Sequence, residues 1–358
     1  SRRFRMLIKN ILITAAGCPG FYSTKKSIED ISFLPSDLKI HGCDMNANSI
    51  GLKLCDSSFV SPKADCPTYT HKIFQYCNEN DIDLIIPFSD EELFKLAKCK
   101  NLFSKIGCKI LVSEPAVIKT ILNKDILFEQ VKNIFPRYVP DYVICNDIEA
   151  FKKGYDNLRQ KNDMICVKPA VSHGSRGFRV ISDITKNQFF NDKSSSNYIS
   201  YDSLVNLLSS EGSSFPDLMI MEYMSGEEYS VDCMRNGEFV AVPRTRDDIQ
   251  GGICVAGETV ENFELMLISE AIYDLLKIKY HANFQYRYDK HGTPKLLEIN
   301  PRFSGTMEHC RGSGVNFVEN SIRSCAGVPN KSNHIRWGTS MRRVWKEIFC
   351  YENKTFEL

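Results

Sequence analysis

The sequence predicts an α/β protein that begins with a doubly wound parallel domain and continues into an α+β module. Strand-like and helix-like segments alternate through roughly the first 112 residues, a pattern typical of a parallel sheet covered on both faces. From about residue 164 the pattern changes to strands joined by hairpin turns. With 358 residues, of which 43% are hydrophobic, the chain is long enough for two domains or for one domain with a lid.

Charge and cysteine content exclude several classes of protein. The 45 lysines and arginines nearly match the 44 aspartates and glutamates, so no global field favours nucleic acid or an anionic membrane. The 14 cysteines are scattered without a CxxC pair, which argues against a zinc site or a secreted disulfide scaffold and favours a reducing cytosol. The apolar run near the N-terminus is short and indicates a buried strand. We therefore expect a cytoplasmic protein with no membrane or nucleic-acid partner.

The first domain follows from short apolar segments separated by helical or turn segments. A glycine-bearing turn follows the first strand, and a helix-like run follows Ser89. Proline near the start of a helical pattern, as at Pro115, is compatible with a helix over residues 114–130. The strands predicted here cover residues 10–14, 39–43, 83–87 and 109–112, with a helix over 69–80 between the second and the third.

Strands and hairpins are predicted for the second half of the chain. A glycine-rich loop, SHGSRGF, separates the strand MICVKPA from the strand RVIS, and the polar residues 186–217 predict surface helices and loops. Residues 219–222 predict a short apolar strand. Two hairpins are then predicted, one pairing residues 229–234 with 238–242 across Arg235-Asn236-Gly237, and one pairing residues 285–288 with 295–300.

Oxygen-bearing side chains share one face of the last hairpin. Glu298 and Asn300 stand two apart in a strand and therefore point to the same face. A register that places Tyr288 opposite Thr293 or Lys295 adds Gln285 to that face. Hard oxygen donors of this kind suit Mg²⁺, although an exposed hairpin face is the alternative, above all for Gln285.

The glycine-rich loop after Lys168 predicts a phosphate site. Gly174, Ser175 and Gly177 let the backbone approach an anion closely with its N–H groups exposed. The loop lacks both the GxxxxGK[ST] and the GxGxxG patterns, so neither a P-loop nor a dinucleotide site is supported. A glycine-rich turn without a ligand is the alternative.

A third stretch, MIMEYMSGEEYSVD, has carboxylates at the end of an apolar strand. Glu222 ends the strand, and Glu227 and Glu228 follow a glycine turn. The exposed backbone edge of such a strand can hold a purine, and a carboxylate six residues on can bind ribose hydroxyls. Each glutamate taken alone is more often a solvated surface residue.

The ordered set of these motifs resembles the ATP-grasp superfamily, and within it the carbamoyl-phosphate-synthetase-like carboxylate-amine ligases. The resemblance covers roughly residues 114–328. It implies a pre-ATP-grasp α/β domain over 1–112, an ATP-grasp module over 113–329 and a C-terminal tail over 330–358 that packs on the module. Within the module it implies two α+β lobes, a lid lobe with a glycine-rich flap at about 160–222 and a metal-binding lobe at about 223–329.

The resemblance also implies a set of ATP-binding residues. Lys124 and Lys168 would contact the phosphates, and the flap over residues 172–178 would close on them, with Gly174 and Gly177 as hinges. Glu222 and the backbone at Tyr223 and Met224 would contact adenine, Glu228 the ribose, and Met221 and Leu297 would sandwich the base. The flap residues implied to contact phosphate are Ser172, Gly174, Ser175 and Gly177. The roles of His173 and Arg176 in the same loop stay open.

Metal binding and catalysis are implied for the last strand. Glu298 would bridge two Mg²⁺ ions, with Mn²⁺ as an alternative metal, while Gln285 and Asn300 would each complete one ion. Arg302 would steady the transferred phosphoryl group, which makes Arg302, Lys168 and Glu298 the catalytic set. The synthetase itself has two such modules and an amidotransferase partner. The 358 residues of this sequence have length for one module and show no evident catalytic cysteine motif, so we do not expect this chain to make carbamoyl phosphate from glutamine.

The implied reaction is an ATP-dependent ligation of a carboxylic acid and an amine through an acyl phosphate, giving an amide, ADP and phosphate. The alternatives are a kinase-like member that releases the acyl phosphate of a carboxylate or carbamate, and a nucleotide-binding regulator without turnover. The partners are a small acid and amine of amino-acid-like character, and a homodimer stays open. Residues expected to contact the substrate are Arg244, Arg246, Ser304, His309 and Arg311.

Overall fold

The chain forms two compact units, each built from separate stretches of sequence. The computed structural model describes residues 7–171, 177–192, 195–210, 212, 214–331, 333–352 and 354–358. Unit 1 comprises Ser1–Lys119, Tyr229–Phe284 and Ile299–Leu358, and unit 2 comprises Thr120–Glu228 and Gln285–Glu298. Within the described ranges, no helix combines the length and the apolar character needed to cross a membrane. The domain bounds expected from the sequence, at residues 112 and 329, stay a prediction.

A parallel sheet opens unit 1, as the sequence predicts. All four pairings between its neighbouring strands are parallel, and its strand order is β3-β2-β1-β4-β5. Because the central strand β1 is the first in sequence, the chain winds outward in both directions from it, which defines the doubly wound arrangement. Its strands are β1 (Asn10–Ile13), β2 (Lys39–Asp44), β3 (Ser57–Val60), β4 (Leu84–Ile86) and β5 (Lys109–Ile110).

Helices connect these strands, and one further helix follows the last of them. The fourth helix begins with a capping box between Ser89 and Glu92, which satisfies N–H groups that a helix start otherwise leaves unpaired. Glu92 is buried and also accepts hydrogen bonds from the hydroxyl groups of Thr14 and Tyr69, so it fastens the helix to the sheet. The helices are α1 (Phe21–Glu29), α2 (Ile50–Lys53), α3 (Tyr69–Glu79), α4 (Asp90–Lys98), α5 (Lys100–Ser104) and α6 (Pro115–Leu122).

Unit 2 is built on a mostly antiparallel sheet of order β6-β10-β7-β8-β9. Its core packs Phe151 against apolar strand residues such as Val167 and Ile220. Its elements are α7 (Lys124–Ile134), β6 (Tyr142–Asp147), α8 (Ile148–Arg159), β7 (Ile165–Pro169), β8 (Arg179–Ile181), α9 (Lys186–Asn191), β9 (Tyr198–Ile199), α10 (Tyr201–Ser209) and β10 (Ser214–Glu222), with 3₁₀ helices at Pro136–Tyr138 and Ser195–Asn197.

The single helix predicted over residues 114–130 is wrong. The chain forms two helices, α6 and α7, because Asn123 leaves the helical conformation and caps α7 by accepting hydrogen bonds from the N–H groups of Asp125 and Ile126. Asparagine side chains favour this position. The break places Lys124 in the first turn of α7.

The remaining elements include both predicted hairpins. Gly237, with a φ of 81°, forms the turn between β11 and β12, where glycine carries no steric penalty. The strands form sheets of order β12-β11-β15-β16, β13-β14-β17 and β18-β19. The elements are β11 (Glu228–Asn236), β12 (Glu238–Thr245), β13 (Asp248–Gln250), β14 (Ile253–Glu258), α11 (Phe263–Leu275), β15 (Ala282–Tyr288), β16 (Pro294–Asn300), α12 (Glu308–Gly312), α13 (Phe317–Cys325), β17 (Ser340–Arg342), β18 (Phe349–Tyr351) and β19 (Lys354–Phe356).

Candidate active site

Two lysines and a glutamate that are far apart in sequence lie together in unit 2. The Nζ of Lys124 lies 3.8 Å from Oε2 of Glu298. Lys168 donates from Nζ to the backbone carbonyl of Leu297, at 3.4 Å, and its Nζ lies 5.7 Å from the centre of the Phe128 ring. Both lysines are buried, and Glu298 is half-buried. This part of unit 2 therefore gathers two cations and one anion.

Strand pairing and burial set the properties of Lys168. It lies in β7, opposite Met219 of the neighbouring strand β10, so its backbone position is fixed by the sheet. Burial, reinforced by the charge of Lys124 and opposed by that of Glu298, lowers the pKa of Lys168 to about 8. Removal from water disfavours the charged amine, and an incoming polyanion would restore the favourable environment that burial takes away.

Most of the predicted phosphate flap falls outside the described residues. Ser172, Gly174 and Ser175 lie there, as do His173 and Arg176, so their roles stay predictions. Gly177 is described and has a φ of 75°. A Cβ at this position would lie 2.7 Å from Cδ of Pro169, so the end of the loop requires glycine both for its backbone conformation and for its contact with β7.

The segment predicted to bind adenine, residues 221–224, spans the C-terminal end of β10. Glu222 accepts a hydrogen bond from the N–H of Asp141 at 2.9 Å, and burial raises the pKa of this carboxyl group. The N–H of Tyr223 donates to the carbonyl of Met164 at 2.9 Å. Met221 and Met224 are buried. The contacts of these residues with a base stay predictions, and the carboxylate and the Tyr223 N–H already have protein partners.

The turn that leads to Glu228, the predicted ribose ligand, is held against the end of β15. The N–H of Gly226 donates to the Tyr288 carbonyl, and the N–H of Tyr288 donates to the Glu227 carbonyl. Arg287 donates from Nε to the Gly226 carbonyl at 3.0 Å. A Cβ on Gly226 would lie 2.6 Å from the Tyr288 carbonyl oxygen, so only glycine permits this approach. Glu228 and Leu297, the second predicted sandwich residue, are half-buried.

A cleft of about 380 Å³ lies in unit 2, next to this segment. Glu222 and Tyr223 line it, whereas Lys124 and Lys168 do not. Its lining also includes both acidic and basic side chains, among them Asp163 and Lys290, which form an ion pair at 2.8 Å. The cleft therefore includes two of the predicted nucleotide residues but not the pair of lysines.

The predicted metal ligands lie on neighbouring strands of one sheet. Gln285 is on β15, and Glu298 and Asn300 are on β16. Asn300 donates to the side-chain oxygen of Asn283 at 3.4 Å. Asn283 and Gln285 are two apart on β15, and Glu298 and Asn300 are two apart on β16, so within each strand the two side chains point to the same face. A carboxylate with amide oxygens fits Mg²⁺, which water and phosphate oxygens complete.

No cluster of three or more histidine, cysteine, aspartate or glutamate side chains suited to a metal lies in the part of the chain that the structure describes. The predicted set contains one carboxylate and two amides, so it lies outside that class of site. Its assignment to metal stays a prediction that the donor chemistry supports.

Arg302 is held in unit 1 by a carboxylate at the start of α4. Its Nε and Nη2 donate to the two oxygens of Asp90, at 2.6 and 2.9 Å. Paired N–H groups on a carboxylate fix the plane of the guanidinium as well as its position. Asp90 is 212 residues away in sequence, so sequence reasoning had no signal for this pair.

Two of the predicted substrate residues, Arg244 and Ser304, belong to a buried polar cluster in unit 1. Arg244 is fully buried and donates from Nε to Asp232 at 2.9 Å and from Nη2 to Oγ of Ser304 at 3.4 Å. Although burial acts to raise it, Arg244 and His281 hold the pKa of Asp232 well below its usual range. Arg246 donates to Oγ of Ser230 and to the Gly252 carbonyl. The groups that donate to Asp232 are Arg244, His281, Asn283, Ser304 and Cys310.

The other two predicted substrate residues have protein partners. His309 is buried, and its Nε2 lies 2.7 Å from the carbonyl of Thr339. Arg311 binds the carboxylates of Glu308 and Asp30. Two carboxylates already balance the charge of Arg311, so this geometry favours a structural role for it over the predicted contact with substrate.

Comparison with known proteins bears on the fold. Residues 214–347 match the family described as ATP-grasp in the biosynthetic pathway with Ter operon, and residues 11–111 match the N-terminal domain of the PylC-like family. The carbamoyl phosphate synthase large chain of Clostridium perfringens is 25% identical over 210 residues, which cover 55% of this chain and 18% of that protein. The chain therefore spans less than a fifth of this relative.

Solved structures of other proteins superimpose on nearly the whole chain. The ADP complex of N5-carboxyaminoimidazole ribonucleotide synthetase superimposes with a TM-score of 0.69 at 13% identity, covering 93% of this chain and 81% of that one. L-amino acid ligase from Bacillus licheniformis does so with a TM-score of 0.62 at 14% identity, covering 93% and 78%. The chain thus has the ATP-grasp fold and resembles the carbamoyl-phosphate-synthetase-like carboxylate-amine ligases.

Proposed function

We propose that this protein is an ATP-dependent ligase that activates a carboxylic acid as an acyl phosphate and joins it to an amine, releasing ADP and phosphate. The observation that carries the proposal is the gathering of Lys124, Lys168 and Glu298 in unit 2. Two buried cations beside one carboxylate leave an excess of positive charge, which a triphosphate would balance. The solved L-amino acid ligase of the same fold supports amide formation with amino-acid-like substrates.

The residues of this chain act by holding and neutralising charge. A carboxylate that approaches a triphosphate is repelled, so alignment and charge neutralisation provide most of the catalysis. Lys124 and Lys168 would bind phosphate oxygens, and Arg302, oriented by Asp90, would stabilise the transferred phosphoryl group. Transfer breaks the bond from the γ-phosphorus to its bridging oxygen and forms a bond to the carboxylate oxygen. The amine then displaces phosphate from the acyl group and loses a proton.

Mg²⁺ fits the oxygen donors Gln285, Glu298 and Asn300, which would hold it. When bound, it neutralises charge on the phosphate oxygens. The acyl phosphate hydrolyses readily, so the chain must exclude water during the reaction. The predicted flap would do so, with Gly177 at its end because this position tolerates no side chain.

Phosphate release from ATP, measured over pairs of candidate acids and amines, tests the proposal. We expect turnover only when acid, amine and Mg²⁺ are all present, and we expect Glu298→Gln to abolish it. Glu261→Gln, an exposed glutamate, is the matched control and should keep full activity. Release of a free acyl phosphate without amine would identify the kinase-like alternative instead.

Thermal stability gives a second test that does not depend on the substrates. A ligand that binds only the folded protein raises its unfolding midpoint, so ATP with Mg²⁺ should raise it by several degrees. The same addition should have little effect on Glu298→Gln. An equal shift in both proteins would remove Glu298 from the site, and no shift in either would count against nucleotide binding.

A further inference from the structure

A buried guanidinium in unit 1 has one nitrogen without a partner. Nε and Nη2 of Arg244 donate to Asp232 and Ser304. Nη1 is buried and has no hydrogen-bond acceptor within the described ranges. Burying an N–H group without an acceptor costs free energy. A ligand that places an acceptor beside this nitrogen would remove that cost.

A second guanidinium reaches the neighbouring residue. Arg343, directly after β17, donates from Nη2 to the carbonyl of Gly305, while Arg244 reaches Ser304. Consecutive α carbons are about 3.8 Å apart, so the two arginines approach one short segment. Burial, together with the charge of Arg244, lowers the pKa of Arg343. Asp232 balances the charge of Arg244, so the second guanidinium adds a net positive charge that favours an anion.

The segment has room for such an anion. A Cβ on Gly305 would meet no heavy atom within 4 Å among the described residues. Gly305 is half-buried, as is Arg343, whereas Arg244 lies deeper. A small group can therefore lie beside Gly305 with Arg343 toward solvent and Arg244 toward the interior.

His309 adds a second buried atom without a partner. Its Nε2 faces a carbonyl oxygen, which can only accept, so Nε2 carries the proton. Nδ1 is buried with no hydrogen-bond partner in the described part of the chain, and burial lowers the pKa of the ring. In the neutral ring Nδ1 is an acceptor that suits an N–H donor.

We infer that Arg244 and Arg343 form a carboxylate site beside Gly305, and that the amine substrate is an amino acid anchored there by its own carboxylate. The inference rests on the proposed ligase function. Two guanidinium groups would engage both carboxylate oxygens, which leaves neither free to attack a phosphorus atom. The bound carboxylate is therefore an anchor and not the group that is activated. Nδ1 of His309 is the acceptor for the N–H of such a ligand.

Thermal unfolding without ATP tests this site directly. The unfolding midpoint would be measured with each of the twenty standard L-amino acids and with the matching amide at the same concentration. The amide keeps the amine and lacks the carboxylate charge. We expect at least one amino acid to raise the midpoint and its amide to leave it unchanged. If no amino acid shifts the midpoint, or if the amide matches the acid, the inference is wrong.

Variants separate the site from a general effect of charge. Arg343→Gln should weaken binding of the stabilising amino acid at least tenfold. Arg342→Gln, an exposed neighbouring arginine, is the matched control and should bind normally. Gly305→Leu fills the open space while keeping both arginines, and it should also lose binding. Equal binding by Arg343→Gln and Arg342→Gln would overturn the inference even if Gly305→Leu did not fold.

The two proposals fail in different ways. The amino-acid test omits ATP, whereas the test of the ligase proposal depends on ATP, Mg²⁺ and Glu298. Stabilisation by ATP without discrimination between amino acids and their amides would remove the carboxylate site alone. Loss of the ATP effect would remove the ligase proposal and leave an amino-acid site to be explained.

Discussion

The two units contain buried charge clusters of opposite character. In unit 2, Lys124 and Lys168 outnumber Glu298, whose side chain is 22% exposed. In unit 1, Asp232 and Arg244 are both fully buried, and Asp232 has a set of donors from its own unit. The Asp232 carboxylate is satisfied within the protein and serves the fold, while Nη1 of Arg244 has no acceptor among the described residues. The unit 2 cluster carries an excess of positive charge near solvent, which favours an anionic ligand. Burial alone therefore does not identify a ligand site, whereas unbalanced charge or an unsatisfied polar atom indicates one.

The largest expected effect is a loss of stability when the buried cluster around Asp232 in unit 1 is broken. Asp232→Asn leaves the buried Arg244 without its counter-ion, and removing one member of a buried pair costs about 3–5 kcal/mol. Urea denaturation should show a loss of this size in the free energy of unfolding. Asp248→Asn, an exposed aspartate of the same unit, is the control, and a loss below about 1 kcal/mol for Asp232→Asn would mean that the cluster does not support the fold.

The unit 2 cluster should respond in the opposite way. Lys168→Met removes a buried cation, so stability should be unchanged or higher, while phosphate release should fall by roughly 100-fold or more, as for loss of one preorganised donor. Lys153→Met, exposed on α8, serves as the control. Steady-state kinetics and thermal unfolding on the same samples decide, and a stability loss with normal turnover would contradict the assignment.

Arg302 lies between the two clusters in character. Asp90 balances its charge within the protein, as in unit 1, but we propose a catalytic role for it, as for the lysines of unit 2. Asp90→Asn should lower the unfolding midpoint less than Asp232→Asn does, because this pair is partly exposed, and it should lower the turnover number by roughly tenfold, since the guanidinium loses its bidentate anchor. Glu91→Gln lies exposed in the same helical turn and should keep its turnover. An effect on KM for ATP alone would point to binding and not to orientation of Arg302.

The smallest effect is a dependence on pH. Lys168 has a pKa of about 8 without ligand and a triphosphate prefers the charged amine, so ATP affinity should fall roughly threefold between pH 7.5 and 8.5. Stability should move the other way. The unfolded chain binds the proton more tightly, so the contribution of Lys168 to stability is fully present above about pH 10.5 and is lost as pH falls through 8.

Titration of ATP binding on Lys168→Arg provides the comparison for this pH effect. Arginine stays charged throughout this range, so the variant should lose the dependence near pH 8. A slope in the variant equal to that of the parent would assign the titration to a different group.

Local patterns in the sequence predicted much of the fold. The turn at Gly237 and the alternating first domain are local signals, and the structure confirms both. The break at Asn123 was missed, because the residues on both sides of it are compatible with one helix and only the cap reveals the boundary. The last thirty residues gave no pattern, and Arg343 was missed with them.

The candidate site residues divide in the same way, into those that a local pattern or a family resemblance predicts and those that only contacts in the folded chain reveal. Glu298 and Asn300 were grouped from their spacing on a strand, and Lys124 and Lys168 from resemblance to a family. The pairing of Asp90 with Arg302 and the role of Asp232 were missed because they arise from contacts between distant parts of the chain, 212 residues apart for Asp90 and Arg302. Such contacts leave no mark on any short stretch of sequence.

The route of the chain through the two units has a practical consequence. The backbone passes from one unit to the other after residues 119, 228, 284 and 298. No single cut or truncation can therefore release either unit as one intact polypeptide. A recombinant version of unit 2 alone would need a designed linker in place of residues 229–284, and any fragment that starts at residue 1 and ends before residue 298 would lack residues of both units.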